Sequence, residues 1–434
     1  MEKLLYYLWN HKLFVPKPLA TTDGQPVEVL FPGVLNRHAG PDFAGAKVRI
    51  GTTTWAGDVE IHVKASDWFR HNHHTDPHYN NVVLHVVLYN DGQAITAHGE
   101  QVPQLVMEVP AYMADNYHHL CHTTDYPRCH TILPTLDPFV VNSWLDRLLY
   151  ERLEERAQLV AGRAQQLQGD WEKAYFITLA RNFGFGINGD AFEHWAQRIP
   201  LAQAAHHRDN LFQIEALFMG QAGLLHPDAL PRNHRTEALA DDYYQRLSQE
   251  YHYLAHKYGL QAMDAQEWKF LRLRPQGFPH VRIAQLAQLY SHDALGLSRL
   301  LSADSMESWH KLLTDGTSTY WQEHYAFGCP NARTGRRLSR HTLDLIAINT
   351  AVPVLYAYGQ HQGKEELKEQ ALQLLAHMAP EDNHIIRTWA DCGIKALHAA
   401  HSQALIQLRR NYCERRYCLH CRIGYEYLKC KNKP

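Results

Sequence analysis

Between residues 28 and 110 the hydrophobic positions fall into short runs rich in valine and isoleucine: AKVRI, GDVEIHVK, NVVLHVVLYN and QLVMEV. Turn formers such as Asn90-Asp91-Gly92 separate them. Runs of this length and composition predict strands. In GDVEIHVK the period is two. Asp58, Glu60, His62 and Lys64 share one face, while Val59, Ile61 and Val63 share the other. That strand has an apolar back and an ionisable front. From Asp137 the period becomes helical. Asp137-Pro138 supplies an N-cap and a proline at the first helical position. Trp144, Leu145, Leu148, Leu149 and Leu153 follow at helical spacing. Helical patterning continues around 172–183, 190–198, 210–221, 236–258, 281–291, 341–358, 365–378 and 396–412, with Gly259 and Gly359 as stops. The pattern predicts an α+β chain: a β-rich head over 1–135, a helical body over 136–404, and a cysteine-bearing tail over 405–434 packed on the body or the head.

Length and composition narrow the class. A chain of 434 residues exceeds one ordinary core. With 45% hydrophobic and 20% charged residues it is globular. No apolar run reaches the roughly 18 residues of a membrane span. The opening MEKLLYYLWNHKLF predicts an amphipathic helix rather than a signal peptide. A cytoplasmic bacterial protein is the expectation. Net charge is −2, so any affinity for nucleic acid has to come from local patches. Eight cysteines without a secretory signal suggest reduced thiols or metal ligands, not a disulfide framework.

The chemistry concentrates around Pro41-Asp42 and Glu60-Ile61-His62-Val63-Lys64. An acid at the mouth of one strand and an acid in the middle of its hairpin partner can meet on one face. Two such carboxylates suit Mg²⁺ or Mn²⁺. A base or cation beside them, His62 or Lys64, can orient or activate water against a phosphodiester. Asp42, Glu60, His62 and Lys64 are therefore the candidate catalytic residues, with Asp42 and Glu60 as metal ligands. The bland alternative is a half-solvated strand, which the alternation alone predicts. Downstream lies Asp67-Trp68-Phe69-Arg70-His71-Asn72-His73-His74-Thr75-Asp76-Pro77. Arg70, His71 and His73 are placed to contact phosphate. A histidine-rich version of the site would instead use Glu60, His62, His74, Asp76 and His85 with Zn²⁺, Mn²⁺ or Fe²⁺. Asp76-Pro77 also reads simply as a turn.

The tail carries Cys413, Cys418 and Cys421 at C-x4-C-x2-C spacing, a strong metal signal for Zn²⁺ or a 4Fe-4S cluster. The fourth ligand is open among Cys129, Cys392, Cys430 and His420, with Cys129 as the leading choice. Basic residues crowd the same tail: Arg409, Arg410, Arg415, Arg416, Arg422, Lys429, Lys431 and Lys433, interleaved with tyrosines. Arg409, Arg410, Arg415 and Arg416, with Arg70 and His73, are the candidate nucleic-acid contacts. Arg333, Arg336, Arg337 and Arg340 form a second basic cluster.

Two resemblances follow from these residues. Pro41-Asp42 and Glu60-x-His62 are similar to the first two motifs of the PD-(D/E)xK nucleases, with His62 at that family's lysine position and Lys64 about 7 Å further along the strand. That resemblance implies a restriction-endonuclease-like head and hydrolysis of DNA or RNA. Over nearly the whole chain the sequence resembles an uncharacterised bacterial family, domain of unknown function 2851. The matching segments include LLYYLWNHKLF, Ala39-Gly40-Pro41-Asp42-Phe43, Gly57-Asp58-Val59-Glu60-Ile61-His62 and the closing cysteine triplet. This family implies no activity. The expectation is a metal-dependent nuclease-like hydrolase; the competing one is a non-catalytic adaptor for nucleic acid or protein with a structural Zn or Fe-S site.

Overall fold

The structure is a computed structural model that describes residues 1–13, 18–303, 305–331 and 337–431. Its N-terminal helix α1 (Glu2–Asn10) presents Leu4, Leu5, Leu8 and Trp9, all fully buried. The strands are β1 (Leu19–Ala20), β2 (Pro26–Phe31), β3 (Val34–Leu35), β4 (Phe43–Ile50), β5 (Thr53–Lys64), β6 (Val82–Tyr89) and β7 (Gln104–Val106). They form one seven-stranded sheet in the order β1-β2-β4-β5-β6-β7, with β3 also paired to β4. β4 and β5 form the expected antiparallel hairpin. β5, β6 and β7 run parallel. A parallel neighbour needs a crossover, supplied here by the short helix α2 (Asp67–Arg70) and two 3₁₀ turns, His73–Thr75 and Pro77–Tyr79. Helix α3 (Ala111–His122) follows β7.

The apolar back of β5 works as the alternation predicts. Val59 and Ile61 join Phe43, Val48, Leu84 and Val86 in one core with α1 and Met113 of α3. The middle of the ionisable front is not solvated, although Lys64 at its end is exposed. Glu60 is 5% and His62 2% exposed, because the crossover folds over them. Trp68, Tyr79, Val82, Ala94 and Val102 make a smaller core beside them.

Two compact units divide the chain: residues 1–144, 391–394 and 408–434, and residues 145–390 and 395–407. The tail thus shares a unit with the head, and the cut falls inside the helix Pro138–Gln166 rather than at 135. The second unit is helical apart from a two-stranded sheet, His324–Ala326 with Cys329–Pro330. The α+β class holds. Gly259 ends its helix in the left-handed region (φ 63°), as expected. Gly359 does not end one: the helix Val352–Gln362 continues to Gly363 (φ 64°). Gly359 is small for another reason, since a Cβ there would lie 2.9 Å from the Lys364 carbonyl. The patterned stretch 236–258 is two helices, because the Asp241 side chain caps the second by accepting from the Tyr243 and Tyr244 N–H groups. Asn349 is a satisfied amide, donating to the Leu345 carbonyl and accepting from Arg156.

Close approach of β5 to the start of β6 depends on Gly57. A Cβ there would stand 2.4 Å from Val83 Cγ1 and 2.6 Å from the Asn81 carbonyl. Gly57→Ala is expected to cost about 1–3 kcal/mol by overpacking, read from the midpoint of urea unfolding; an unchanged midpoint would show that the strands give way freely.

Candidate metal centre

β5 and the crossover build the site together. Glu60 and His62, two residues apart, point to the same face of β5. In the parallel register Glu60 sits opposite His85 of β6. α2 is held by the Trp68 indole N–H, which donates to the Ile95 carbonyl at 2.8 Å. Asn72 then turns the chain in the left-handed region (φ 62°), a conformation asparagine tolerates. That reversal sets His71 and His73 on the same centre. His73 lies stacked on Tyr79 with ring centroids 3.7 Å apart. His62, His71 and His73 each offer a ring nitrogen within 4.8 Å of the other two. Glu60 Oε1 lies 3.4 Å from His62 Nε2 and 3.2 Å from His73 Nε2. His71 Nδ1 lies 3.2 Å from His62 Nε2.

A hydrogen-bond relay decides which nitrogen of His62 faces this centre bare. Gln104 Nε2 donates to the Gly92 carbonyl at 2.9 Å, and its Oε1 accepts from the Ala94 N–H at 2.7 Å. The amide orientation is therefore set, and Oε1 also accepts from His85 Nδ1 at 3.2 Å. With its proton on Nδ1, neutral His85 has a bare Nε2. That nitrogen accepts from His62 Nδ1 at 2.9 Å. His62 Nε2 keeps its lone pair, directed at Glu60 and His71. Burial holds both rings neutral, bringing His85 down to about 4 and His62 far below the ordinary imidazole value. His73 Nε2 is buried and makes no hydrogen bond among the described residues.

The two acids meet as the hairpin requires. The Asp42 backbone N–H donates to Glu60 Oε2 at 2.9 Å. Asp42 Oδ2 accepts from the Ile61 N–H at 2.9 Å, and Oδ1 from the Tyr6 hydroxyl at 2.8 Å. Burial first, then the neighbouring Glu60 charge, pushes Asp42 up to about 7. Burial likewise pushes Glu60 up to about 8. Three imidazole nitrogens and one carboxylate oxygen suit Mn²⁺, Fe²⁺ or Zn²⁺ better than Mg²⁺, which takes oxygen ligands.

Other candidates fall elsewhere. Lys64 is exposed and lies by Asp91, at the C-terminal end of β5. The strand's pleat carries its side chain to the same face but four residues past Glu60 and two past His62. Asp76 caps a turn by accepting from the His78 N–H, and His74 packs on Phe69. Neither reaches the centre. His85 does not touch it but orients His62. His73, expected to contact phosphate, lies inside at 8% exposure. Arg70 is at the rim, its guanidinium 2.9 Å from Asp67 and 3.5 Å from His71 Nε2. His71 was the residue hardest to assign from sequence; its spacing of two from His73 around an asparagine was the available signal. A hollow of about 420 Å³ in the second unit is lined by two ion pairs, His292 with Asp315 and Arg299 with Asp293, and by Lys311.

Cys129, Cys413, Cys418 and Cys421 line one cavity of about 20 Å³. Cys392, Cys430 and His420 do not line it. Arg409 stacks on Tyr126 and pairs with Glu414, and Arg416 donates to the Cys121 carbonyl. Arg410 and Arg415 are exposed. In the second unit Arg337 and Arg340 are exposed, while Arg333 and Arg336, like Lys433, lie outside the described residues. Among the described residues no helix is long and apolar enough to cross a membrane.

A family model described as Protein of unknown function (DUF2851) matches residues 2–384. No curated protein matches the chain, and no solved structure does.

Two outcomes are expected of this geometry. Glu60 has to lose its proton to ligate, so affinity for Mn²⁺ or Zn²⁺ should rise about tenfold per pH unit up to about pH 8. Calorimetry in buffers of different ionisation enthalpy reads the released proton, and a flat affinity from pH 6 to 8 would contradict it. His85→Leu, which breaks the relay without touching a ligand atom, should weaken metal binding about 10–100-fold.

Proposed function

The chain belongs to that family of unknown function, and we propose that its N-terminal unit hydrolyses nucleic-acid phosphodiesters with one transition-metal ion. The observation that carries this reading is the gathering of ring nitrogens of His62, His71 and His73 within 4.8 Å of one another, with Glu60 Oε1 against two of them, His62 and His73. A divalent ion held there supplies a Lewis acid and a water of lowered pKa. The chain's own residues supply the rest. Gln104 and His85 lock His62 as a ligand. Asp42, balanced near neutrality beside Glu60, is suited to take and return a proton at working pH. Tyr6 and the Ile61 N–H hold that carboxyl in place. His71 is exposed and marks the open side. There the Arg70 guanidinium, 69% exposed, can pair with a phosphate in two-pronged fashion. The order Pro41-Asp42, then Glu60-x-His62 on the next strand, supports a phosphodiester over other esters. Lys64 has no part in this scheme.

The test is cleavage of double-stranded DNA, single-stranded DNA and RNA with Mn²⁺, Fe²⁺, Zn²⁺ or Mg²⁺. Wild-type protein should cleave at least one of them with a transition metal. Glu60→Gln and His62→Ala should abolish cleavage, and Asp42→Asn should slow it by about 10²-fold. Cleavage that survives His62→Ala, or a wild type that binds metal and cleaves nothing, overturns the reading; the second result would favour a non-catalytic adaptor.

A further inference from the structure

The cysteine cluster stands apart from the histidine centre and poses its own question. Four thiols come from three local structures. Cys129 precedes the 3₁₀ stretch His130–Thr135, Cys413 closes the π-helical turn Leu408–Cys413, and Cys418 and Cys421 bracket a 3₁₀ turn before the helix Arg422–Lys429. They surround one small cavity rather than a point.

That distinction bears on which metal the thiols suit. Zinc bonds sulfur at about 2.3 Å in a tetrahedron, which draws four thiolates to roughly 3.8 Å from one another and leaves no space among them. Among the described residues, no three of these sulfurs gather within 4.8 Å of one another. The cavity they line is about 20 Å³, the space of about one water molecule. In an iron–sulfur cluster the thiolates are spread around a body of iron and sulfide, so they stand apart. The C-x4-C-x2-C spacing with one distant cysteine is also a spacing used by such clusters.

The surroundings suit an anionic group. Arg128 lines the cavity and donates to the Cys413 carbonyl at 2.8 Å. Gly424, at the start of the last helix, also lines it; a Cβ there would lie 2.0 Å from the Cys418 carbonyl oxygen. That helix is secured from the other side. The buried Asn116 amide donates to the Tyr427 carbonyl at 3.0 Å and the Cys430 carbonyl at 2.9 Å. The thiol arrangement is thus held by packing on both flanks.

We propose that Cys129, Cys413, Cys418 and Cys421 ligate an iron–sulfur cluster that ties the C-terminal tail to the N-terminal unit. The cluster is a saturated, structural one, with each thiolate on iron and no protein position left open.

The full chain purified without oxygen, and reconstituted with ferrous iron and sulfide if colourless, tests this. Iron and acid-labile sulfide should be equal, at about two or four each per chain, with brown colour that dithionite bleaches. Cys129→Ser should lower bound iron several-fold, while Cys392→Ser, whose thiol is outside the cavity, should keep it. One zinc per chain in place of iron, or no iron after reconstitution, overturns the proposal. The wild-type measurement decides even if Cys129→Ser fails to fold. It is also independent of the phosphodiesterase reading, since it asks nothing of activity.

Discussion

Everything at the histidine centre depends on burying ionisable groups on one face of a strand whose other face is already core. A carboxylate or imidazolium removed from water costs several kcal/mol unless it is neutralised or paired. The protein meets that constraint by neutralising. Burial raises Asp42 and Glu60 and lowers His62, His73 and His85, so all five approach neutrality by opposite routes. Hydrogen bonds then settle direction. Gln104 orients His85, His85 orients His62, and the Asp42 N–H takes one oxygen of Glu60. What remains is a set of lone pairs facing one another. Neighbours of that kind are stable together only when protons or a cation lie among them.

The topology makes the set possible. Antiparallel pairing of β4 with β5 brings Asp42 to Glu60. Parallel pairing of β5 with β6 then obliges the chain to travel back across the sheet. The crossover passes over the ionisable face of β5, and it carries Arg70, His71 and His73 with it. A hairpin after β5 would have left that face in water. Trp68 pins the crossover and Asn72 reverses it, so two residues with no reactive chemistry decide where the histidines point.

At the other end of the chain, residues 408–431 fold back into the first unit. Their last helix is anchored by Ile423, Tyr427 and Leu428, all fully buried. Asn116 on its terminal carbonyls, Gly424 against Cys418 and the thiols around their shared cavity add to that hold. Several of the tail's basic residues are consequently engaged within the fold: Arg409 with Tyr126 and Glu414, Arg416 with the Cys121 carbonyl, Arg422 with Glu426.

Local patterning carried a good deal of this. The α+β class, the β4–β5 hairpin, the apolar back of β5, the stop at Gly259 and the meeting of Asp42 with Glu60 all follow from period, turn chemistry and strand alternation, which act between near neighbours. The cysteine triplet was legible for the same reason, thiol spacing being a short-range signal, while its partner stayed open among Cys129, Cys392, Cys430 and His420 until the fold put Cys129 beside it. Other features depended on groups far apart in sequence. Alternation cannot tell a solvated polar face from a covered one, so the burial of Glu60 and His62 came only with the crossover. Gly359 looked like a stop until Lys364 was seen packed against it. His71 and His73 resembled a polar loop because nothing within a few residues shows that Tyr79, Trp68 and Glu60 surround them. Lys64, on the right face by parity, lies too far along the strand to share the centre. Sequence determines which faces and turns a segment prefers; only the folded chain decides which of those faces meet, because that choice is made by burial and pairing across long loops.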